Sequence, residues 1–311
     1  MNKILLFTHK SDIDGMGEII LSKIAFGEID YIMCTNVDNL GIKIMEEYNK
    51  GTLYNYETIY ITDLSVKKDV ADILFNDEKI KDRIFLFDHH ASAIEEGLLE
   101  YKNCTIKVED EKEKLCATQI FYEYLKEKGF ISSKNIIDEF VELVRREDTY
   151  DWKKLGDFKA NELAMLFNEI GPEKFVKRML NKINKKDSFE FDEEETEIIE
   201  DKKKGIENAV QKYTKYLKLV DIDGIKVDVC FIEYEYRNFI AEYLAENNRD
   251  DADAVMMIAM DNDQISIRCL KGGSYARQIA EKFGGGGHDR AAAISINDKM
   301  KDEIIDLLLR R

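Results

Sequence analysis

Ile84-Phe85-Leu86-Phe87-Asp88-His89-His90-Ala91-Ser92 joins an unbroken apolar run to a carboxylate and two imidazoles. A short apolar run without alternation is the pattern of a parallel strand buried on both faces. In an open α/β sheet, chemistry collects just beyond the carboxyl ends of the strands. Polar groups placed there need a hydrogen-bond or metal partner once water is partly excluded. The competing reading is a capping turn. Against it, all four histidines of the chain, His9, His89, His90 and His288, fall in stretches with the form of site loops.

Working outward, residues 3–8 read as a first strand, and His9-Lys10-Ser11-Asp12-Ile13-Asp14-Gly15 as the loop that opens a helix over 15–26, where Ile19, Ile20, Ile24 and Phe26 recur at roughly helical spacing. Strands over 29–34 and 57–62, the latter ending at Asp63, alternate with helices over 41–49 and 66–75 before the strand that delivers Asp88. This alternation predicts an α/β fold with a doubly wound, mainly parallel sheet. After a short strand at 104–108 the pattern turns helical: 115–125, 136–145, 161–170, and from Pro172 to about 184. Residues 187–205 are dense in Glu, Asp and Lys, the composition of a solvated bridging helix. A smaller α/β pattern follows, with strands at 227–232, 255–260 and 264–270 and helices at 238–246 and 275–283. The last helix runs into Gly284-Gly285-Gly286-Gly287-His288-Asp289-Arg290. The expected organisation is a catalytic domain over 1–186, a helical linker over 187–217 and a substrate-binding domain over 218–311.

The chain has 311 residues, 44% of them hydrophobic, enough for a sizeable core. Its net charge of -17 argues against a long basic groove for duplex nucleic acid. A small anionic ligand is still admitted, because metal ions and local arginines hold it against the global field. Five scattered cysteines without a Cys-x-x-Cys pair read as reduced thiols of a cytoplasmic protein. The apolar opening is too short for a signal-peptide core, and no stretch is long enough to span a bilayer.

The strand ends gather His9, Asp12 and Asp14, then Asp63, then Asp88 and His89, with Asp148 or Asp151 closing a later helix. Mixed carboxylate and imidazole donors without thiolates suit Mn²⁺, with Mg²⁺ less favoured because it prefers oxygen shells. So many donors from four segments exceed the needs of one open ion. Two ions about 3.5–4 Å apart, sharing one carboxylate, would activate a water and clamp a phosphoryl oxygen. Each signal has a plainer counterpart. Asp63 alone reads equally well as a helix cap, and the glycine run alone as a linker. Asp221-Ile222-Asp223-Gly224 nearly repeats the spelling of the first loop, but no histidine precedes it, and it reads as a turn.

Taken together, His9-x-x-Asp12-x-Asp14-Gly15, Asp63, Asp88-His89-His90 and Asp148-Thr149 resemble the motifs of the DHH phosphoesterases. Gly284-Gly285-Gly286-Gly287-His288 resembles the signature of that family's DHH-associated substrate domain. The resemblance implies His9, Asp12 and Asp63 on one divalent ion, and Asp14, Asp63, His89 and Asp148 on the other. It also implies that His90 touches the scissile phosphate and that Asp88 orients the site. The extended helical middle is most similar to the oligoribonuclease (nanoRNase) branch. A C-terminal domain that closes over the metals, with Arg268, Gly286, Gly287, His288 and Arg290 against the nucleotide, suits single-stranded RNA of two to five nucleotides or a dinucleotide. The expected reaction releases nucleoside 5′-monophosphates. The rivals are a cyclic-dinucleotide or phosphoadenosine-phosphate hydrolase and a catalytically silent nucleotide-binding scaffold. A homodimer is compatible with the sequence and not required by it.

Overall fold

In chain order the first part of the protein runs β1 (Ile4–His9), α1 (Ile13–Phe26), β2 (Asp30–Cys34), α2 (Val37–Asn49), β3 (Thr58–Thr62), α3 (Lys68–Asn76), β4 (Ile84–Asp88), α4 (Ala91–Glu95) and β5 (Cys104–Ile106). Five helices follow: α5 (Ala117–Glu127), α6 (Asn135–Asp148), α7 (Asp151–Leu155), α8 (Lys159–Ile170) and α9 (Pro172–Lys185). The five strands form one sheet in the order β2-β1-β3-β4-β5, and every pairing is parallel. The computed structural model describes residues 3–247 and 251–309.

Two hydrophobic clusters explain why the strands read as unbroken apolar runs. Ile4, Leu6, Tyr60 and Phe87 pack on one face with α1, α5, α6, α8 and α9. Leu5, Phe7, Ile59, Ile61, Ile84 and Leu86 pack on the other face with α2 and α3. Successive residues of a strand point to opposite faces, so a sheet covered on both sides must be apolar throughout. The order turns outward in both directions from β1 and β3, and the loops after β1, β3 and β4 therefore converge at one edge of the sheet.

Several boundaries move from their sequence positions for local reasons. Helix α2 begins at Val37, earlier than its apolar face suggests, because the Asn36 side chain accepts the Asn39 N–H at 2.8 Å and caps it. Helix α6 continues to Asp148, three residues past the apolar pattern. The acidic stretch does form a helix, α10 (Glu193–Thr214), but it is not solvated all round. Glu195 is fully buried and paired with Lys182, and Ile199 is also buried.

The chain divides into two units, Met1–Ile199 and Glu200–Arg311, and the division falls inside α10. Beyond it come β6 (Lys218–Ile222), β7 (Ile225–Phe231), α11 (Arg237–Glu246), β8 (Ala254–Ala259), β9 (Gln264–Cys269), α12 (Ala276–Lys282), β10 (Gly286–Gly287), β11 (Ala291–Ser295) and α13 (Asp298–Leu309). Their sheet has the order β10-β11-β9-β8-β7-β6, with only β7 and β8 parallel. Strands β6 and β11 and helix α13 are not apparent from the sequence pattern. Among the described residues no helix is long and apolar enough to cross a membrane.

Candidate metal centre

His9 ends β1, Asp12 is the N-cap of α1, and Asp14 lies in that helix's first turn. The turn is tight: a Cβ on Gly15 would stand 2.1 Å from the His9 carbonyl oxygen, so no other residue fits. Asp12 accepts the Gly15 N–H at 3.1 Å and pairs with His9 Nδ1 at 2.6 Å. Asp14 is almost wholly buried, and its two oxygens accept the backbone N–H groups of Ala117 and Thr118, each at 2.8 Å. The start of α5 thus fixes Asp14 from a hundred residues away, and Thr118 Oγ1 also donates to the Asp14 carbonyl oxygen at 2.6 Å.

Asp63 follows β3 with φ of 57°, a left-handed conformation that costs a non-glycine residue about 1–2 kcal/mol. Its N–H donates to the Phe87 carbonyl oxygen at 3.1 Å, which ties the loop to β4. It is not a helix cap, since α3 begins after Lys67. The Asp63 carboxylate is buried between two imidazoles, 3.5 Å from His9 Nδ1 and 3.5 Å from His89 Nε2. His89 also lies 3.8 Å from Asp14 and 3.5 Å from Asp148. Asp151 points elsewhere, to Arg145 and Lys154, each at 2.8 Å. Of the two carboxylates left open by the sequence, Asp148 is the one brought to the cluster.

Donor atoms of His9, Asp12 and Asp63, of Asp14, His89 and Asp148, and of Asp63, His89 and His90 form three trios, each within 4.8 Å. Asp63 and His89 each belong to two of them. Among the described residues, Asp63 Oδ2 and His89 Nε2 are buried without a hydrogen-bond partner. Such orphaned groups cost about 1–3 kcal/mol each, and the fold positions two of them at the centre of the cluster. The donor set fits a divalent cation.

The protonation of the cluster reports the same crowding. Burial, then the charges of Asp14 and Asp12, push Asp63 up to about 7. Burial and Asp14 push Asp148 up to about 8. Burial opposes charge on His9 and His89, but Asp12 and Asp63 around the first, and Asp63, Asp14 and Asp148 around the second, raise both to about 10. Protons are held where the positive charge of a cation would serve.

Asp88 is fully buried at the end of β4 and takes a different part. One oxygen accepts the N–H groups of His89 at 2.7 Å and His90 at 3.1 Å and is 2.7 Å from His90 Nδ1. The other accepts the Ser65 hydroxyl. The His90 ring is half exposed and held by Asp88, and that bond raises its pKa. Glu18, one turn after Asp14, has no sequence signal beyond being a charge in an apolar helix. It is fully buried, accepts the Thr8 hydroxyl at 2.6 Å, and has its pKa pushed well up by burial and by Asp63 and Asp14.

The remaining expected residues lie together in the second unit. Arg268 stands opposite Ala291 in the β9–β11 register, beside the exposed turn that carries His288 and Arg290. His288 and Ala291 exchange backbone hydrogen bonds at 2.8 and 3.2 Å and close that turn. The glycines divide by role. A Cβ on Gly285 or Gly287 would stand 2.3 or 2.6 Å from β11 atoms, whereas Gly286 has nothing within 4 Å. The first two glycines serve the hairpin, and the third leaves open backbone.

Residues 230–311 match the model of the DHHA1 domain. The chain is similar to the Oligoribonuclease NrnB of Bacillus subtilis (strain 168), with 28% identity over 297 residues, covering 95% of this chain and 73% of that protein. A solved structure, the pGpG-specific phosphodiesterase PggH from Vibrio cholerae, shares the fold with a TM-score of 0.58 at 15% identity, over 99% of this chain and 97% of that one.

Proposed function

We propose that the chain is a DHH-family phosphoesterase, a reading supported by the DHHA1 match over residues 230–311 and the likeness to an oligoribonuclease, and that it is a metal-dependent phosphodiesterase that releases nucleoside 5′-monophosphates from short oligoribonucleotides. The observation that carries the reading is the linked set of acid and imidazole trios, with buried Asp63 and His89 donor atoms left unsatisfied at its centre.

In this reading His9, Asp12 and Asp63 hold one divalent ion, and Asp14, Asp63, His89 and Asp148 hold a second. Asp151 is spent on Arg145, which favours Asp148 for that role. The imidazole donors favour Mn²⁺, with Mg²⁺ the alternative. When bound, such ions supply a water of lowered pKa and withdraw charge from phosphoryl oxygens. His90, braced by Asp88, whose hydrogen bond raises its pKa, hydrogen-bonds a phosphate oxygen with its exposed edge. Asp88 works as a positioning residue. Glu18 and the start of α5 hold the floor of the site in place.

Substrate recognition falls to residues 218–311, where Arg268, His288 and Arg290 offer cationic and hydrogen-bonding groups beside the open backbone of Gly286 and the hairpin that Gly287 shapes. Residues 187–217 link that region to the metal centre of residues 1–186. The net charge of -17 favours a short single strand over a duplex. All five cysteines are free and four are buried, in keeping with a cytoplasmic protein.

The test is turnover of end-labelled RNA of two, five and twenty-four nucleotides, with Mn²⁺, with chelator, and with Asp63→Ala or His89→Ala. The reading expects mononucleotide release that is fastest on the shortest RNA and absent in chelator and in both variants. A cyclic dinucleotide and phosphoadenosine phosphate run in parallel. Strong turnover of one of these alone overturns the substrate, and nucleotide binding without any turnover overturns the enzyme.

A further inference from the structure

Beside the metal centre, and apart from every residue assigned above, a cleft of about 390 Å³ opens in the first unit. Lys10 and Ser11 line it from the loop between β1 and α1, Thr35 from just after β2, Phe167 and Asn168 from the last turn of α8, and Pro172 from the start of α9. Its volume lies within the range of small-molecule sites, about 300–1,000 Å³.

The lining is chemically mixed and unspent. Among the described residues, the side chains of Lys10, Ser11, Thr35 and Asn168 make no hydrogen bond or ion pair. Lys10 is notable in so acidic a chain, because the nearest acid in sequence, Asp12, is taken by His9. The loop is also held in place: the Lys10 N–H donates to the Cys34 carbonyl oxygen at 2.8 Å. An ammonium, two hydroxyls and an amide against an apolar wall of Phe167 and Pro172 match the parts of a nucleotide. The ammonium suits a phosphate, the small polar groups suit ribose hydroxyls and base edges, and the wall suits a ring or sugar face. A simple phosphate would leave the apolar wall unused.

Lys10 and Ser11 lie in sequence between His9 and Asp12, so the loop that lines the cleft is the loop that carries two residues of the metal cluster. We propose that the cleft is a binding subsite for the nucleotide adjoining the scissile phosphate, with Lys10 on its phosphate and Asn168 on its ribose or base. The proposal rests on the oligonucleotide phosphodiesterase reading and adds to it a recognition surface within the catalytic unit.

Calorimetric titration of AMP into the manganese-loaded protein tests the subsite without turnover, and RNA turnover tests the parent reading separately. Asn168→Trp fills the cleft from an exposed helix position, and Lys10→Gln removes the charge. The expected result is a roughly tenfold weaker AMP affinity in each variant. On the five-nucleotide RNA, KM rises about tenfold while kcat stays within twofold. Unchanged AMP affinity in Asn168→Trp, or no AMP binding to the unaltered protein, overturns the subsite even if RNA is hydrolysed. Absent RNA turnover with AMP binding that both variants weaken keeps the subsite and overturns the reaction.

Discussion

Asp12-Ile13-Asp14-Gly15 and Asp221-Ile222-Asp223-Gly224 have the same spelling and even share a contact. In each, the first aspartate accepts the N–H of the glycine three residues on, at 3.1 Å in one and 2.7 Å in the other. Everything beyond that contact differs. Asp14 is buried and held by the start of α5, whereas Asp223 is exposed in the β6–β7 turn and, among the described residues, pairs with Lys282 alone. Gly15 is required because His9 crowds it, and Gly224 because φ is 84° there, with open space around it. A motif of this length specifies a local turn, and tertiary partners decide whether that turn becomes a site.

The comparison is broken most sharply by exchanging the second aspartates. Asp14→Asn is expected to lower kcat/KM for a dinucleotide by roughly 10³-fold, or ~4 kcal/mol of barrier. Asp223→Asn should leave kcat/KM within about twofold, as surface changes do. Equal losses would refute the assignment of the first loop.

The glycines come next. Gly15→Ala drives a Cβ into the His9 carbonyl oxygen and should cost about 3 kcal/mol, the upper end of overpacking. Gly224→Ala meets no atom and pays only for its left-handed backbone, about 1–2 kcal/mol. Thermal melts of the two variants should rank them in that order, and only Gly15→Ala should also lose activity.

Metal removal separates the two regions by charge. Asp63 and Asp148, raised to about 7 and 8, keep protons that an unfolded carboxyl releases above about pH 4. His9 and His89, raised to about 10, keep protons that a free imidazole releases above about pH 6.5. The folded state therefore binds more protons than the unfolded state across that range, and the metal-free protein loses stability as pH rises. Divalent ions displace those protons, so the gain in Tm on adding Mn²⁺ should grow with pH. At an ion concentration 100 times Kd the gain corresponds to about 2.7 kcal/mol. Asp223→Asn should retain it in full and Asp14→Asn should lose most of it. A gain independent of pH would count against the cluster as the binding site.

What the sequence made legible follows the same division. The parallel sheet was readable because burial on both faces forces apolar runs such as Ile84 to Phe87. The acids and imidazoles were readable because they sit where those runs stop. The supports of the site were not. Ala117 and Thr118 act through backbone groups that any residue carries, and Glu18 looks like the polar face of a helix until the packing of α1 against α5 buries it. Strand β11, Ala291-Ala292-Ala293-Ile294-Ser295, was hidden because its alanines carry no strand signal, and pairing with β9 supplies what propensity lacks. Helix α10 misled for the opposite reason. Its acidic composition suggested solvent, yet Lys182 pairs with Glu195 inside the protein.

The smallest expected effect is the most discriminating about the shared contact itself. Asp221→Ala removes a side-chain hydrogen bond from an exposed turn whose backbone is already set by Asp223 and Gly224, both at positive φ. The loss should be about 0.5 kcal/mol or less, with no change in activity. Asp12→Ala removes the same type of bond, but the side chain also caps α1 and neutralises His9, so it should cost about 1 kcal/mol of stability and most of the turnover. If denaturant melts gave the two variants equal losses and turnover were unaffected in both, the first loop would be a cap and turn like the second. The carboxylate of Asp12 would then have no claim on a metal.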